Sequence, residues 1–298
     1  MDYYNEIKNK LIDNEIYQKT KDYSKEKNRI DTYYTVGRLL NDAGKHYGDD
    51  IIGQLAIKLS KEVGKVYNKK LLFKMRQLYY LFTNEKVAPV VRQLSWSQCL
   101  VLFAVKDIDA INYYASQVIL RNLTKRQLQD IVHREEYSRL DKDTKSKLIT
   151  QEKFVVNDFV KDPIIINTYN NYKEITEKIL KRIILEDLDN FLMELGTGFS
   201  YVKSEYKIRL GDRYNYIDLL LYNIVYKCYV VIELKTTELK KEHIGQIQAY
   251  INYLDKNIKS NKETKTIGII ICKKDNKFVM EYCSDNRICE TTYVLNTV

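Results

Sequence analysis

The stretch Tyr216–Asp255, YIDLLLYNIVYKCYVVIELKTTELKKEHIGQIQAYINYLD, decides the fold of the second half of the chain. Two runs rich in aliphatic and β-branched residues predict strands over Tyr214–Tyr222 and Lys227–Lys235, joined as a hairpin. Apolar residues then recur at three- and four-residue spacing, which predicts a helix over about Lys241–Lys259. A strand hairpin followed by a helix favours the α/β class.

Two acids and one lysine interrupt these apolar strands. An unpaired carboxylate is costly in a buried strand, so Asp218 needs a partner. Glu233 and Lys235 share one face of the next strand because side chains alternate, and a hairpin brings Asp218 and Glu233 together at its open end. Paired carboxylates suit Mg²⁺ or Mn²⁺, hard cations that prefer oxygen ligands. We predict that Asp218 and Glu233 hold the metal and that Lys235 orients a water or stabilises charge on a phosphate.

The rest of this half mixes helix and strand signals. A helix is predicted over about Tyr172–Leu195, because its periodic pattern ends at Gly196-Thr197-Gly198. Helix, strand meander, helix and strand is the order of an α/β sandwich. The further predicted strands are Ser200–Leu210, Lys265–Lys273, Phe278–Cys283 and Thr291–Leu295.

The first half has a helical pattern instead. Ser95 and Thr124 each open a capping-box pattern, so helices are predicted to begin near residues 96 and 125. Segments Ile51–Val63 and Lys69–Phe82, with Asn68 as the N-cap of the second, have the layout of a helix-turn-helix. The chain is therefore predicted to contain three parts: a separate all-α domain over 1–140 that binds DNA or a protein partner, a charged linker over 141–159, and the α/β domain over 160–298.

The Lys69–Phe82 segment is predicted to bury one stripe and to expose a basic surface. The stripe consists of Leu71, Met75, Leu78 and Phe82. Residues 51–100 hold nine Lys and Arg against two acids, which favours a polyanionic partner. The side chains predicted to meet a DNA backbone are Lys69, Lys70, Lys74 and Arg76. The alternative is a solvated basic surface without a ligand.

Composition bounds the class of protein. The 298 residues suffice for two domains, and residues 1–150, with 27 basic against 19 acidic side chains, hold most of the net charge of +9. No apolar run reaches about 18 residues and the N-terminus lacks a signal-peptide pattern, so we expect no membrane partner and a cytoplasmic location. The five cysteines form no CxxC pair, which favours buried free thiols over a metal site.

With these motifs in place, the chain resembles the PD-(D/E)XK nuclease superfamily and, within it, the YhcG-like family of bacterial nucleases. The resemblance covers nearly the whole chain and is strongest over Tyr216–Asp255. It implies a restriction-endonuclease-like core that hydrolyses phosphodiester bonds. The catalytic positions of the family fall on Asp218, Glu233 and Lys235.

The resemblance adds three residues to the predicted site. Gln246 and Tyr250 match a Gln and a Tyr spaced four apart, which share one face of the helix after the strands. The family pattern also begins with an acid on the helix before the sheet. We assign that position to Glu186, with Glu194 as the alternative.

The predicted function is a metal-dependent DNA nuclease in repair, recombination or defence against foreign DNA. The rival is a non-catalytic nucleic-acid-binding or assembly protein that keeps the nuclease fold as a scaffold. The joint presence of Asp218, Glu233, Lys235 and Gln246 argues against the rival, because a scaffold does not need all four. RNA is an alternative substrate. The pattern leaves open endonuclease or exonuclease action, and monomer or homo-oligomer.

Overall fold

A computed structural model describes residues 2–18, 25–47, 50–150, 158 and 160–298. The chain divides into two compact units, Met1–Tyr137 and Ser138–Val298. The first unit contains helices α1 (Tyr3–Gln18), α2 (Lys25–Tyr47), α3 (Asp50–Glu62), α4 (Lys69–Thr83), α5 (Ala88–Val91), α6 (Trp96–Leu102), α7 (Ile108–Arg121) and α8 (Lys125–His133). Its described residues are helical or in turns, as the apolar spacing predicts.

The second unit is a mixed sheet with helices on both faces. In chain order its elements are α9 (Lys142–Thr150), β1 (Ile164–Thr168), α10 (Glu177–Glu186), α11 (Leu188–Leu195), β2 (Phe199–Leu210), β3 (Arg213–Asn223), β4 (Cys228–Glu238), α12 (Lys241–Asn257), β5 (Ile267–Lys274), α13 (Lys277–Glu281) and β6 (Ile288–Thr297). This is the predicted α/β core, in which a strand hairpin precedes a helix.

Side-chain caps fix three helix starts in the first unit. The Ser95 hydroxyl accepts from the backbone N–H of the third helical residue, and Thr124 does the same in α8. The Asn68 side chain accepts from the backbone N–H of Leu71 at the start of α4. The predicted starts near residues 96 and 125 and the predicted N-cap are therefore confirmed.

The buried stripe of α4 differs from the predicted one. Its buried residues are Leu72, Met75, Leu78, Leu81 and Phe82, whereas Leu71 is only partly buried. α2 crosses α4 closely at Gly37, where an added Cβ would lie 2.1 Å from the Met75 carbonyl oxygen. Met75, Leu78 and Phe82 are therefore buried as predicted, and Leu72 takes the place of Leu71.

The basic side chains of α4 lie in two environments. Lys69 and Lys70 are exposed, while Lys74 and Arg76 are partly buried. The Arg76 guanidinium lies 5.3 Å from the centroid of the Phe73 ring, and this cation–π contact covers part of its charge.

The segment predicted as a linker, 141–159, contains helix α9. The Thr144 hydroxyl donates to the carbonyl of Asp158 at 2.8 Å, and the Lys147 ammonium lies 2.6 Å from the Asp158 carboxylate. Both contacts lie within the second unit. Residues 151–157 and 159 lie outside the described residues.

The sheet has the strand order β1-β6-β5-β4-β3-β2. Strands β2, β3 and β4 form an antiparallel meander, and β4, β5, β6 and β1 pair in parallel. α10 and α11 pack on one face, and α12 packs on the other. β4 is therefore buried on both faces, which explains its almost continuous apolar sequence.

Two sequence predictions in this unit are wrong, and one strand was not predicted. The single helix over Tyr172–Leu195 is two helices, because the backbone of Asp187 leaves the helical region at φ −131° and ψ 51°. The strand predicted at Phe278–Cys283 is instead the short helix α13, which Asn276 caps. The position beside β6 is filled by β1, a strand that the periodicity did not predict.

α12 lies close to the sheet because of one glycine. An added Cβ at Gly268 on β5 would lie 2.7 Å from the Cδ1 atom of Ile247, closer than side chains tolerate. This contact sets the height of α12 above the sheet. It therefore also positions Gln246 and Tyr250, which lie on the same helix.

Two predictions from composition concern cysteines and membranes. All five cysteines are free; Cys99, Cys228 and Cys272 are buried, and Cys283 and Cys289 are partly exposed. Across the part of the chain that the structure describes, no helix combines the length and apolar character that a membrane span requires.

Candidate active site

The site lies where strands β3 and β4 cease to pair. Their last paired residues toward this end are Leu219 and Ile232, so Asp218 and Glu233 follow at opposed positions. The Asp218 Oδ2 atom accepts the backbone N–H of Leu234 at 3.0 Å. A carboxylate thus takes the place of a backbone acceptor. The hairpin brings the two predicted metal ligands to the same end of the strand pair.

Glu233 and Lys235 form a buried ion pair. The Lys235 Nζ atom donates to Glu233 Oε1 at 2.8 Å, and the two residues are 8% and 2% exposed, respectively. Among the described residues, no donor bonds to the other carboxylate oxygen, Glu233 Oε2, which is buried. A buried acceptor without a protein partner is costly, so this oxygen is a candidate ligand for a cation.

Helix α10 contributes two charged residues that sequence reasoning missed. The Glu177 carboxylate lies 3.6 Å from Lys235 Nζ. The Lys181 ammonium lies 2.9 Å from Asp218 Oδ1 and also pairs with Glu205. Glu177 and Lys181 are four residues apart and share one face of the helix. That spacing was the only available signal, and it is common on solvated helices.

The structure does not bring Glu186 to this cluster. Glu186 ends α10, nine residues after Glu177, which is about 13 Å along a helix axis. Its carboxylate lies 3.7 Å from Arg182 and is largely exposed. Glu177, at the start of the same helix, is the acid that lies beside Lys235.

Glu194, the alternative acid, makes contacts that hold the fold together. It is buried, pairs with Arg139, and accepts the backbone N–H of Ile165 at 3.1 Å. These contacts tie α11 to the start of β1. Its charge is therefore neutralised away from the Asp218–Glu233 pair.

Gln246 and Tyr250 are joined on α12. The Gln246 side-chain amide donates to the Tyr250 hydroxyl at 3.0 Å. Burial raises the pKa of Tyr250; the hydrogen bond from Gln246 lowers it, and the nearby charge of Glu233 adds to the rise. The phenol therefore stays protonated at neutral pH, and its proton is available to a further acceptor.

Within the site, burial and a neighbouring charge shift the pKa of Glu233 most. Burial, and then the negative charge of Asp218, raise the pKa of Glu233 to about 7, although Lys235 opposes the shift. Burial would lower the pKa of Lys235, but the carboxylates of Glu233 and Glu177 outweigh it and the pKa is raised. At neutral pH Lys235 is charged, whereas Glu233 is close to its titration midpoint.

The cluster carries an excess of negative charge. Four carboxylates are close to two ammonium groups, which leaves two net negative charges when all are ionised. The carboxylates belong to Glu177, Glu205, Asp218 and Glu233, and the ammonium groups to Lys181 and Lys235. This balance suits one divalent cation.

The donor set also fits a divalent cation of the magnesium type. No group of three or more His, Cys, Asp or Glu side chains with metal-binding geometry occurs among the residues described. Mg²⁺ commonly binds through one or two carboxylates and completes its shell with water and substrate phosphates. Asp218 and the unpartnered oxygen of Glu233 would supply those two carboxylates. When bound, such a cation would polarise a phosphate and activate a water.

An acid pair and a lysine at the end of a mixed sheet, with helices on both faces, define a nuclease domain of the PD-(D/E)XK class. Residues 157–296 match the family described as the YhcG PDDEXK nuclease domain. Residues 9–139 match the family described as the DUF1016 N-terminal domain. These two matches together cover most of the chain and confirm the resemblance to the YhcG-like nucleases seen in the sequence.

One curated relative and two solved structures accompany these matches. The chain is 22% identical over 283 residues to "Putative nuclease YhcG" of Escherichia coli (strain K12), which covers 81% of this chain and 76% of that protein. A repair endonuclease from Pyrococcus abyssi matches at 18% identity and a TM-score of 0.29 over 43% of this chain. The EndoMS-dsDNA2 complex matches at 17% and 0.28, also over 43% of this chain. The chain spans 50% and 48% of those two structures, respectively.

Proposed function

We propose that this protein is a DNA nuclease that hydrolyses phosphodiester bonds with Mg²⁺ or Mn²⁺ held between Asp218 and Glu233. The unpartnered buried oxygen of Glu233, at a position opposed to Asp218, carries the proposal. A divalent cation there would satisfy that oxygen and offset the excess negative charge. The match of residues 157–296 to a nuclease-domain family supports the same chemistry.

Each of the remaining residues has a separate role around that cation. Lys235 places an ammonium beside Glu233, where it can stabilise charge that develops on a phosphate. Glu177 holds Lys235 from the other side and thereby restricts its ammonium. Gln246 and Tyr250 supply an amide and a phenol that can position the substrate or a water.

DNA is the proposed substrate, and α4 is the proposed second contact with it. The exposed Lys69 and Lys70, together with Lys74 and Arg76, form a basic surface on the first unit. Contacts from such side chains to phosphates carry no sequence information but supply affinity. The role that we propose is cleavage in repair, recombination or defence against foreign DNA.

A cleavage assay with metal control tests this function. The full chain would be incubated with linear duplex, closed circular, single-stranded and branched DNA, in Mg²⁺, in Mn²⁺ or in EDTA. We expect cleavage that requires the metal and that Asp218→Asn abolishes. Cleavage of the closed circle would establish endonuclease action. A wild-type protein that binds DNA but cleaves none of these substrates in either metal would contradict the proposal and favour the scaffold alternative.

A further inference from the structure

The hairpin of β2 and β3 has one packed face and one open face. Ile208 and Ile217 are buried against α12, and Tyr206 packs beside them. The opposite face carries the cross-strand pairs Lys207 with Tyr216 and Arg209 with Tyr214. Since β2 is the edge strand of the sheet, these four side chains lie on the surface. They are named here the hairpin platform.

The platform combines exposed aromatic rings with cations. Tyr214 is 58% exposed and Tyr216 is 49% exposed, whereas monomeric proteins usually bury much of a tyrosine ring. The Lys207 ammonium lies 3.7 Å from the centroid of the Tyr214 ring. It therefore covers one face of that ring and leaves a charge beside it.

Charge on the hairpin favours an anionic partner. Residues 199–216 hold four basic side chains, those of Lys203, Lys207, Arg209 and Arg213, against two acidic ones. The two acids are engaged already: Glu205 pairs with Lys181, and the Asp212 carboxylate lies 3.8 Å from Arg209. Hence positive charge dominates beside the tyrosines.

The spacing of the rings distinguishes single strands from duplex DNA. Side chains two residues apart on a strand are about 7 Å apart, twice the roughly 3.4 Å between stacked bases of one strand. A ring can stack on a base only where the face of that base is free, and duplex bases are stacked on each other. Tyr214 and Tyr216 therefore suit an extended single strand whose bases are separated.

The platform leads into the candidate active site. Tyr216 precedes Asp218 by two residues on β3, so the platform adjoins the candidate active site along the strand, about 7 Å away. We infer that the hairpin platform binds a single-stranded DNA segment, with its bases on Tyr214 and Tyr216 and its phosphates on Lys207 and Arg209. The substrate class that follows rests on the proposed nuclease function: DNA with a single-stranded region adjoining the scissile bond.

Binding in EDTA tests this inference separately from cleavage. Fluorescence polarisation would compare the full chain with a labelled thymidine oligonucleotide of about 20 residues and with a hairpin duplex of similar length. We expect Tyr214→Ala with Tyr216→Ala to weaken single-strand binding by roughly tenfold or more, from lost stacking, and duplex binding by less than about twofold. The paired Phe substitutions should retain single-strand affinity, since a phenyl ring stacks as well.

Controls separate the platform from a general loss of surface area. Tyr282→Ala removes a ring that is 84% exposed and lies outside the hairpin, and it should leave binding unchanged. Thermal unfolding should show that every variant is folded. Lys207→Ala should reduce the slope of log affinity against log salt by about one, as expected for one lost phosphate contact.

Each outcome has a distinct meaning. Wild-type affinity in the Tyr214→Ala, Tyr216→Ala variant, or an equal loss for single strand and duplex, would overturn the inference. Tighter binding of the matching RNA oligonucleotide would overturn its assignment to DNA. Tyrosine-dependent binding by a protein that cleaves nothing would uphold the platform and reject the nuclease. Cleavage by the wild type, with no effect of the tyrosine substitutions on single-strand binding, would uphold the nuclease and reject the platform.

Discussion

The carboxylate of Asp218 accepts the backbone N–H of Leu234, so one side chain serves both the sheet and the candidate active site. Asn at position 218 can still accept that N–H but cannot hold a cation by charge. Ala leaves the buried N–H without an acceptor, at a cost of about 1–3 kcal/mol. We expect Asp218→Asn and Asp218→Ala both to lose cleavage, and only Asp218→Ala to lose that much free energy of unfolding. Denaturant unfolding in EDTA measures the difference; equal stabilities would contradict the dual role.

Glu233 should make the stability of the metal-free protein depend on pH. Its pKa is raised from an ordinary 4.5 to about 7 in the folded state, so the unfolded chain releases this proton first as pH rises. The stabilising contribution is present below about pH 4.5 and is lost as pH rises through about 7, at most about 3 kcal/mol. We expect Glu233→Gln to flatten the dependence of the free energy of unfolding on pH in this range. Denaturant unfolding of both proteins from pH 4.5 to 8 in EDTA measures this dependence, and parallel curves for wild type and variant would refute the prediction.

The same protonation should govern metal loading. A cation binds the ionised carboxylate, so Mn²⁺ affinity should rise with pH up to about 7 and then level off. Calorimetric titration with Mn²⁺ at several pH values measures this dependence. In Glu233→Gln the Mn²⁺ affinity should be weak and should no longer change near pH 7.

Lys235 should affect the rate of cleavage more than binding. Lys235→Ala is expected to lower kcat by roughly 10²-fold, the scale seen when one electrostatic stabiliser is removed, with little change in DNA affinity. Single-turnover cleavage and binding would be compared for wild type, Lys235→Ala and Lys235→Arg. A parallel fall in rate and affinity would make the lysine a phosphate contact. Equal cleavage rates for wild type and Lys235→Ala would show that the lysine has no catalytic role.

Glu177 and Glu186 form a matched test because they lie at the two ends of α10. Glu177 lies beside Lys235, so we expect Glu177→Gln to lower kcat by about tenfold while the fold persists. Glu186 pairs only weakly with Arg182 at the surface, so Glu186→Gln should cleave like wild type. The opposite order of effects would restore Glu186 as the family acid.

The basic surface of α4 should supply salt-dependent affinity. Lys70→Ala with Lys74→Ala is expected to weaken duplex binding and to reduce the salt slope by about two, one for each lost phosphate contact. Lys125→Ala with Arg126→Ala removes the same charge from exposed positions of α8, in the same unit, and serves as the control. Equal effects of the two pairs would mean that overall charge, and not α4, attracts the DNA.

The parts that could be predicted from the sequence are local. A hairpin with alternating side chains places Asp218 opposite Glu233, and Lys235 two residues on, whatever packs around it. Ser95 and Thr124 satisfy backbone donors within one turn, so their helices could be located as well. The burial of Lys235 could not be predicted from the sequence. It arises because β4 continues to Glu238 and because α12 and the sheet enclose the lysine.

The parts that could not be predicted depend on distant segments. Glu177 and Lys181 reach the site only because α10 packs across the sheet, and helical periodicity does not identify the strands a helix covers. Strand β1 is five residues long and is stabilised by pairing with β6, more than 100 residues away. In α4, Met75, Leu78 and Phe82 are buried as predicted, but Leu72 is buried in place of Leu71, beside the point where α2 approaches closely at Gly37.

If the proposed metal site is correct, Lys181 would make metal loading an exchange of cations inside the protein. Its ammonium contacts Asp218 Oδ1, and a divalent ion that binds this oxygen would compete with it. Burial opposes the charge, but Glu205 and Asp218 raise the pKa of Lys181, so the position is not vacated by loss of a proton. Glu205, its second partner, can retain the displaced ammonium. The affinity measured for a metal would therefore be that of a competitor replacing a resident counter-ion, and a lower cation concentration should suffice in Lys181→Met.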